Sequence, residues 1–462
     1  MHALFSLAWL ILLLLQMPLP KTSKGICQSM SLNTIGIKTL GCKLNFSESA
    51  TIERLLTEKG YRIVPFEEEA EVYIINSCAV TAEAEKKCRY YARQVKKKHP
   101  ASKTAIIGCF SSLRLEELIR EHDADIILGS NNKTEVVNKI ESLLKSPSQD
   151  LPLYQAEDKT TFFSAYSLHE RTRSFLKIQD GCDYFCAYCT VPYARGHSRS
   201  NSIASVIKEA KTIVANGIKE IILSGVNIGD FKTAEGENFY NVLEALIKVE
   251  GLQRLRISSI EPNLLTKEII ELAASTKQIL PHFHIPLQSG CDDVLHRMKR
   301  RYKREVFAEK VHYIKQLMPD ACIAVDVIAG FPGESEADFR DSYDFIHRLP
   351  ISYLHAFPYS RRPGTLAYDI PNQLSKACKN ERNQQLLALS HEKKHTFYTE
   401  NLHRIREVLF ESETSSRLLV GFTDNYIKVS ASLPNDNINA IRNIQLSELL
   451  DDDTVLGIDI YE

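Results

Sequence analysis

The sequence predicts an α/β protein with three parts: an amino-terminal domain built on a doubly wound parallel sheet, a central partial barrel of six βα units, and a small carboxyl-terminal β module. Short runs rich in Val and Ile alternate with helix-length amphipathic stretches over most of the chain, and this alternation is typical of parallel sheets. A polar linker interrupts the alternation once. Beyond residue 403, short β-like runs separated by Asn, Asp, Pro and Gly predict the β module.

Composition narrows the class of protein. The chain has 462 residues, of which 44% are apolar, and 57 basic side chains stand against 58 acidic ones. This length favours about three domains, and the composition excludes disordered, collagen-like and mini-protein classes. The net charge of −1 excludes a globally basic nucleic-acid binder, so local patches must bind any polyanion. Eleven cysteines in such a chain favour metal binding or catalysis in a reducing compartment over a disulfide framework.

Residues 1–33 form an apolar leader. No charged side chain lies between Ala3 and Pro20, and the Leu-rich stretch resembles a signal-peptide core or a short membrane span. No Lys or Arg precedes it, and no typical cleavage site follows it. We interpret the leader as a misassigned start with Met30 as the true initiator. The alternative is a real membrane anchor.

The amino-terminal domain is predicted to span residues 34–145, where strands and helices alternate. The predicted strands are Thr34 to Lys38, Glu71 to Asn76, Thr104 to Gly108 and Asp125 to Leu128. The predicted helices are Glu48 to Lys59, Ala82 to His99, Leu113 to Glu121 and Lys133 to Leu144.

A polar linker, residues 146–165, then leads to the predicted barrel, residues 166–402. Its six strands are predicted at Phe175 to Ile178, Glu220 to Leu223, Arg254 to Ile257, Phe283 to Ile285, Ile323 to Ile328 and Tyr353 to Phe357. Six βα units fit a partial barrel. A charged helix from Leu374 to Leu402 ends this part, and residues 403–462 form the β module.

The sharpest chemical signal is a CxxxCxxC motif on the loop after the first barrel strand, formed by Cys182, Cys186 and Cys189. Three thiolates on a short loop suit three irons of a [4Fe-4S] cluster and leave the fourth iron open to another ligand. The alternative is a zinc knuckle, for which His197 is the near fourth ligand. Because barrels place their active sites where strands end, the position favours the cluster.

Three further cysteines, Cys42, Cys78 and Cys109, each follow the carboxyl end of a different predicted strand in the amino-terminal domain. The carboxyl ends of parallel strands share one rim, so these thiols are expected to converge. One such cysteine alone favours a buried inert thiol, whereas three at equivalent positions favour a second cluster with three protein ligands. The remaining cysteines are read as structural or incidental: Cys27, Cys88, Cys291, Cys322 and Cys378.

These motifs together resemble the radical methylthiotransferase family, over nearly the whole chain from Ile35 onward. That family joins an amino-terminal cluster domain, a radical S-adenosylmethionine (SAM) barrel and a carboxyl-terminal TRAM module. The stretch from Pro192 to Ser200 resembles the family pattern P-x-x-R-G-x-x-R-S, and His284 to Gly290 and Asp326 to Glu334 resemble further family motifs. The sequence Gly-Cys-Lys-Leu-Asn at Cys42, with Ser-Ile-Glu-Pro further on, resembles the MtaB-type tRNA enzymes most.

The resemblance implies the reaction and its cofactors. It implies two [4Fe-4S] clusters and SAM, which serves as both methyl donor and radical source. The implied activity is insertion of a methylthio group at C2 of adenosine 37 in tRNA, with the N6-threonylcarbamoyl base as substrate. It also implies a one-electron reductant of flavodoxin or ferredoxin type and an unidentified sulfur donor. A tRNA substrate and oxygen-labile clusters place the enzyme in the cytoplasm, without a stable membrane partner.

Candidate SAM contacts lie where barrel strands end. The backbone amides after Leu223, at Ser224 and Gly225, can meet the amino acid part of SAM. The candidates for its ribose and adenine are Glu261, Gln288 and the loop from Gly330 to Gly333. Tight turns explain these glycines almost as well.

Two basic runs are candidate RNA contacts. The run from Arg297 to Arg304 contains six Lys or Arg and an interleaved tyrosine, which favours phosphate contacts by Arg300, Arg301 and Arg304. For the run from Lys86 to His99, a solvated helix face is favoured. The β module is acidic, so its RNA binding is doubtful. It either uses aromatic residues such as Phe422 and Tyr426 or packs against the barrel.

Four alternatives remain open at this level. Within the same family, the substrate is either isopentenyl-adenosine in tRNA or a ribosomal protein aspartate. From other classes, the chain is either a two-cluster electron-transfer protein or an iron-sulfur sensing or RNA-binding module. A CxxxCxxC motif on a βα barrel argues against mere electron transfer, because barrels use such loops for catalysis.

Overall fold

The computed structural model describes residues 33–145, 152–155, 159–168, 172–451 and 453–460. Residues 1–32 of the apolar leader, with the proposed start at Met30, lie outside these residues, as do residues 146–151 and 156–158 of the predicted linker. Among the helices that these ranges contain, none is both long enough and apolar enough to cross a bilayer.

The amino-terminal domain contains a six-stranded parallel sheet in the order β2-β1-β3-β4-β5-β6. Its strands are β1 Thr34–Thr39, β2 Arg62–Val64, β3 Val72–Ser77, β4 Lys103–Gly108, β5 Ile126–Leu128 and β6 Leu153–Tyr154. Its helices are α1 Lys43–Glu58, α2 Ala82–Lys98, α3 Cys109–Leu113, α4 Leu115–Glu121 and α5 Val136–Lys145. The four predicted strands are confirmed, and the helix predicted from Glu48 begins five residues earlier, at Lys43.

Two strands of this sheet were not predicted. The strand β2 has three residues and β6 has two, too few for a clear period in the sequence. The strand β6 falls within the predicted linker, yet it pairs with β5 at the edge of the sheet. Part of the linker therefore belongs to the amino-terminal sheet.

The central part is a partial barrel of six parallel strands, as predicted. Two three-stranded sheets, β7-β10-β11 and β12-β13-β14, are linked by a parallel bridge between Ser259 and His284. The six strands are β7 Arg173–Lys177, β10 Glu220–Ser224, β11 Arg254–Ile257, β12 His282–His284, β13 Cys322–Ala329 and β14 Tyr353–Pro358. A short antiparallel pair, β8 Gln179–Asp180 and β9 Arg199–Ser200, frames the loop after β7.

Helices cover the outside of the barrel, and their apolar faces pack on the outward side chains of the strands. They are α7 Ile203–Ala215, α8 Phe239–Leu246, α9 Lys267–Ser275, α11 Arg304–Leu317, α12 Glu336–Arg348 and α13 Lys376–Glu400. Two short helices pack elsewhere, α6 Val191–Arg195 against the amino-terminal domain and α10 Asp292–Arg297 in a separate small cluster. Side-chain caps define where several of these helices begin. At the amino terminus of α12, Ser335 and Asp338 form a reciprocal capping box.

The amino-terminal domain packs against the barrel through α1 and β7. The ring of Phe46 lies edge-on to Phe175, with 5.6 Å between ring centroids. The hydroxyl of Thr51 and the backbone of Tyr166 exchange hydrogen bonds. This contact places the first turn of α1, and with it Cys42, beside the barrel.

The carboxyl-terminal module is a small closed β-barrel in the order β15-β16-β17-β19-β18. Its strands are β15 Ile405–Glu413, β16 Leu419–Thr423, β17 Lys428–Ala431, β18 Ile441–Leu449 and β19 Val455–Asp459. It docks at the amino ends of the central strands, where Arg254 donates to the carbonyl of Thr423 at 2.9 Å.

The predicted aromatic residues of this module lie at that junction. The rings of Phe422 and Tyr426 are stacked, with 4.9 Å between centroids. The guanidinium of Arg256 lies 4.7 Å from the Tyr426 centroid, and the ring of His282 lies 4.4 Å from it. For the module, the sequence analysis left two roles open, RNA binding through these aromatic residues and packing against the barrel. In the structure, the aromatic residues pack against the barrel.

Candidate active site

The three cysteines of the amino-terminal domain lie on one rim of its sheet. Cys78 and Cys109 directly follow β3 and β4, and Cys42 lies three residues beyond β1. Because β1, β3 and β4 are adjacent and parallel, their carboxyl ends meet. The thiols of Cys78 and Cys109 lie within electrostatic reach of each other and of Cys42. The structure thus brings together residues that are far apart in the sequence.

Two glycines allow this close approach. Gly41 precedes Cys42 and has φ +98°, and a Cβ at this position would lie 2.7 Å from the Sγ of Cys78. Gly108 precedes Cys109 and has φ +108°, and a Cβ there would lie 2.7 Å from the carbonyl oxygen of Ser77. Any other residue would be strained at either position and would push the cysteine loops apart.

Burial controls the ionisation of these thiols. Burial, followed by the neighbouring thiol of Cys109, raises the pKa of Cys78 to about 12. Burial also raises the pKa of Cys109, although the guanidinium of Arg195 opposes this shift. Thiolate ligands in such a site need nearby positive charge, which iron ions would supply. The donor set therefore fits an iron-sulfur cluster.

A buried ion network lies beneath this rim, at the contact between the two domains. Glu48 of α1 accepts from Lys133 at 2.5 Å and from Lys177 of β7 at 2.9 Å. Arg195 of α6 lies 3.0 Å from both Glu48 and Asp180, and Lys177 lies 2.7 Å from Asp180. All five side chains are at most 2% exposed. Three cations thus surround two carboxylates.

The cations keep both carboxylates ionised. Burial opposes ionisation of Glu48, but Arg195, Lys133 and Lys177 outweigh it and hold the pKa of Glu48 well below its usual range. The pKa of Asp180 is lowered against the effect of burial by Arg195 and Lys177. Arg195 also donates from Nε to the Sγ of Cys109 at 3.3 Å. The network therefore reaches one of the candidate cluster ligands.

The CxxxCxxC loop lies after β7 and β8, where the barrel strands end. The thiols of Cys182, Cys186 and Cys189 interact electrostatically, and burial is the largest cause that raises the pKa of Cys182 and of Cys189 to about 12. The alternative zinc ligand, His197, is exposed and places its Nδ1 2.6 Å from Asp183. That arrangement favours the three-cysteine cluster over a zinc knuckle.

The loops that carry the two cysteine sets touch across the domain contact. The hydroxyl of Thr190, next to Cys189, donates to the carbonyl of Ala79, next to Cys78, at 3.2 Å. Nearby, the hydroxyl of Ser130 donates to the carbonyl of Ala194 at 2.7 Å. Loops from both domains therefore build one composite site.

Arg300 does not have the role that the sequence suggested. Its side chain is 2% exposed and is paired with Glu261, so it is not placed to meet a tRNA phosphate. It donates instead to the Sγ of Cys186 at 3.1 Å and to the hydroxyl of Tyr188 at 3.3 Å. The physical reason is that the chain folds back at Lys299, which has φ +57°, and carries the next side chain inward.

The other two predicted tRNA residues lie nearer the surface. Arg301 is exposed, and its guanidinium lies 4.1 Å from the centroid of Tyr184. Arg304 is paired with Asp341 at 2.7 Å and donates to the carbonyl of Gly290 at 3.1 Å. Arg301 is therefore the better placed of the two for an RNA phosphate.

The predicted SAM residues Ser224 and Gly225 lie where β10 ends and a tight turn begins. A Cβ at Gly225 would lie 3.0 Å from the backbone oxygen of Gln179, so packing already requires a glycine. The amides of Val226 and Asn227 donate to the side chain of Gln179, at 3.0 and 2.8 Å. Within the described residues, the buried hydroxyl of Ser224 and the side-chain amide of Asn227 have no hydrogen-bond partner. These two polar groups suit a ligand at this turn.

The remaining predicted SAM residues lie on neighbouring strand ends. Glu261 follows β11 and is paired with Arg300, and burial raises the pKa of its carboxyl group. Gln288 has φ +67° and donates from its backbone to the carbonyl of Asp326 at 2.7 Å. Gly330 donates from its backbone to the carboxylate of Glu334 at 3.1 Å, in the loop that also contains Gly333.

Sequence reasoning missed the buried network and the polar lumen of the barrel. In the lumen, His284, Asp326 and His355 place one ligand atom each within 4.8 Å of one another. A usable signal was present for part of this set. Glu48 interrupts the apolar face of an amphipathic helix, and Lys177 interrupts the run from Phe175 to Ile178, which is otherwise apolar. Charges rarely occupy such positions unless they are paired.

Comparisons with known proteins agree with this architecture. The model of the radical SAM superfamily matches residues 176–346, and the model described as uncharacterized protein family UPF0004 matches residues 34–129. A radical SAM methyltransferase structure, TsrM from Kitasatospora setae, aligns with a TM-score of 0.54 at 13% identity, covering 73% of this chain and 74% of that one. This structural likeness concerns the fold alone.

Curated relatives are much more similar. The threonylcarbamoyladenosine tRNA methylthiotransferase MtaB of Aquifex aeolicus is 36% identical over 86% of this chain and 96% of its own length. The MtaB of Bacillus subtilis is 37% identical, with 89% and 93% covered. A tRNA-2-methylthio-N(6)-dimethylallyladenosine synthase of Lachnoclostridium phytofermentans is 32% identical, with 90% and 93% covered. With both of its domain models matched and relatives of this identity along most of its length, the chain belongs to the radical SAM methylthiotransferase family and is of the MtaB type.

Proposed function

We propose that this enzyme inserts a methylthio group at C2 of N6-threonylcarbamoyladenosine 37 in tRNAs. Two relatives that are 36% and 37% identical carry threonylcarbamoyladenosine tRNA methylthiotransferase in their names. The observation that carries the proposal is the composite site, in which loops with two cysteine triads touch through Thr190 and Ala79. One reaction that uses both triads explains why they share one domain contact.

Each triad is proposed to hold a [4Fe-4S] cluster. Cys182, Cys186 and Cys189 would bind the radical cluster, and Cys42, Cys78 and Cys109 would bind the auxiliary cluster. Three protein ligands leave one iron open in each case. When bound, the clusters and two molecules of SAM supply the radical, the sulfur and the methyl group.

The protein supplies charge and orientation around these groups. Arg300 donates to Cys186 and Arg195 donates to Cys109, so each triad has one buried guanidinium beside a ligand sulfur. Such donors neutralise negative charge and tune a metal centre. We assign SAM to the strand ends at Ser224, Gly225, Glu261, Gln288, Gly330 and Gly333. The unpartnered hydroxyl of Ser224 is the structural support for that assignment.

The proposed partners follow from the reaction. Arg301 and Arg304 are the proposed contacts to tRNA, with Arg301 the more accessible. An external one-electron reductant of flavodoxin or ferredoxin type would reduce the radical cluster, and the sulfur donor is left open. A tRNA substrate and oxygen-labile clusters support a cytoplasmic enzyme.

Two measurements test the proposal. Reconstituted enzyme incubated with SAM and dithionite should form 5′-deoxyadenosine, which an electron carrier or sensor would not form. Mass spectrometry of tRNA nucleosides from a deletion strain should show the loss of the methylthio derivative of threonylcarbamoyladenosine. Loss of the isopentenyl derivative instead, or of a modified ribosomal protein aspartate, would assign the enzyme to another substrate.

A further inference from the structure

The outer side of α2 is basic and exposed to solvent. We define the α2 face by five exposed residues of this helix: Lys86, Tyr90, Arg93, Lys97 and Lys98. An open surface groove of about 630 Å³ runs along them, and Arg89 and Gln94 complete its lining. Among the residues that the structure describes, no carboxylate lines this groove. The α2 face therefore presents positive charge to the solvent along its length.

Three cations of the α2 face have no ionic partner. Within the described ranges, Lys86, Lys97 and Lys98 form no ion pair, whereas Arg89 pairs with Glu117 at 2.9 Å and Arg93 pairs with Asp123 at 2.9 Å. The helix dipole favours lysines in the last turn of a helix, but it gives no reason for Lys86 near the other end. The three lysines are thus left for an anion that comes from outside the chain.

A large aromatic side chain lies in the middle of the α2 face. Tyr90 is 59% exposed. Its hydroxyl accepts a hydrogen bond from Nε2 of Gln94 at 3.2 Å, and its ring packs edge-on against Tyr91, with 5.4 Å between ring centroids. Because these contacts hold the ring in place, little side-chain entropy is lost when it binds a partner. A solvated helix face does not require such a ring, whereas nucleic-acid sites combine aromatic rings with cations.

The helix α2 begins at the composite site and leads away from it. Its first residue, Ala82, lies three positions after Ala79, whose carbonyl accepts from Thr190 of the barrel. The backbone amide of Ala82 donates to the hydroxyl of Ser360, beyond the end of β14, at 3.3 Å. Because α2 connects the carboxyl end of β3 to the amino end of β4, it runs away from the cysteine rim. At about 1.5 Å per residue, it extends about 24 Å.

Building on the proposed function, we infer that the α2 face binds the phosphate backbone of the anticodon arm of the tRNA. A tRNA that places adenosine 37 at the composite site must leave that site along a neighbouring surface, and the α2 face starts there. The three unpaired lysines gain phosphate partners and release counterions, while Tyr90 stacks on a ribose or an unpaired base. Phosphate contacts position a nucleic acid without reading its sequence, so the α2 face supplies affinity and the composite site selects the base.

An acidic electron-carrier protein is the other polyanion that the reaction uses. Such a carrier must come close to the radical triad at Cys182, Cys186 and Cys189 to deliver its electron. The helix α2 belongs to the amino-terminal domain and leads away from the contact with the barrel. The course of the helix therefore favours RNA as the occupant of the α2 face.

The test measures binding of tRNA purified from the deletion strain to the reconstituted full-length enzyme over a range of salt concentrations. In a combined Lys86→Gln, Lys97→Gln and Lys98→Gln variant, Kd at low salt should rise on the order of 30-fold. The slope of log Kd against log salt concentration should fall by about two to three, as for three lost phosphate contacts. Tyr90→Ala should weaken binding without changing this slope, because the ring carries no charge.

The matched control is a combined Lys208→Gln, Lys211→Gln and Lys248→Gln variant. It removes three exposed lysines on and beside α7 and α8, and it should keep the parental Kd and slope. Iron content and melting temperature should equal those of the parent in both combined variants, which shows that folding is intact.

Two outcomes overturn the inference and leave the proposed function standing. In the first, the combined α2 variant keeps the parental Kd and salt slope. In the second, it binds tRNA as the parent does but loses the SAM cleavage that reduced flavodoxin drives, while dithionite still supports cleavage. The α2 face would then bind the electron carrier. If the parent forms no methylthio product from this tRNA, the proposed function itself fails.

Discussion

The Nε of Arg195 donates a hydrogen bond to the Sγ of Cys109 over 3.3 Å. Arg195 ends the helix that follows the radical SAM loop, and Cys109 is a candidate ligand of the other cluster. The same guanidinium also pairs with Glu48 and Asp180. One buried side chain thus connects the auxiliary site, the radical SAM loop and the contact between the two domains.

We expect Arg195→Met to move the reduction potential of the auxiliary cluster to more negative values. Removal of a cationic donor beside a ligand sulfur destabilises the reduced, more negative cluster. An anaerobic redox titration followed by electron paramagnetic resonance measures this. Arg195→Lys keeps the charge with fewer donors and should give a smaller change. Equal potentials in Arg195→Met and the parent would show that the contact has no electronic role.

Glu48→Gln should destabilise the protein at neutral pH by about 3–5 kcal/mol, because it leaves Lys133, Lys177 and Arg195 with too little negative charge. The folded-state pKa of Glu48 is depressed, so its carboxylate stabilises the fold above the unfolded-state pKa, and this contribution is lost as the pH falls towards the folded value. Thermal melting at several pH values should show the parent and the variant converging below about pH 4. If the difference in melting temperature between the parent and Glu48→Gln stays constant at low pH, Glu48 is not the stabilising carboxylate that we describe.

Reconstituted enzyme should contain about eight irons, four for each [4Fe-4S] cluster. The triple variant Cys182→Ala, Cys186→Ala and Cys189→Ala should roughly halve this content, because only the other triad remains. Iron analysis with Mössbauer spectroscopy measures both quantities. Full iron content in the triple variant would rule out this ligand set.

Cys42→Ala, Cys78→Ala and Cys109→Ala should each abolish methylthiolation but leave reductive cleavage of SAM measurable, since the radical triad is intact. Cys88→Ala is the matched control, because Cys88 is a fully buried thiol of the same domain outside the rim. Product analysis by mass spectrometry with a 5′-deoxyadenosine assay separates the two activities. Normal product formation by any of the three rim variants would remove that cysteine from the proposed cluster.

Arg301→Gln should weaken tRNA binding and flatten its salt dependence by roughly one counterion, as expected for one lost phosphate contact. Arg300→Gln should instead alter the spectrum of the radical cluster and slow SAM cleavage, because Arg300 is buried beside Cys186. Arg62→Gln is the control, since Arg62 is exposed at the amino end of β2, on the opposite rim of the sheet. If the salt dependence of tRNA affinity is unchanged in Arg301→Gln, Arg301 is a solvated surface residue and makes no phosphate contact.

The sequence by itself determined the fold class and the six candidate cluster cysteines. Strands such as β3 and β4 are read from local runs of buried residues, and the cysteines stand at fixed offsets from them. Both patterns are local in the sequence, so they can be recognised without knowledge of the tertiary structure.

Only the tertiary structure decided what the charged residues do. Arg300 belongs to a basic run that suggests a surface, yet the fold turns it inward onto Cys186. Arg195 and Cys109 are separated by 86 positions in the sequence, and only the contact between the two domains brings them together. Whether a charge is solvated, paired or left for a ligand depends on distant partners and on burial, which no local pattern contains.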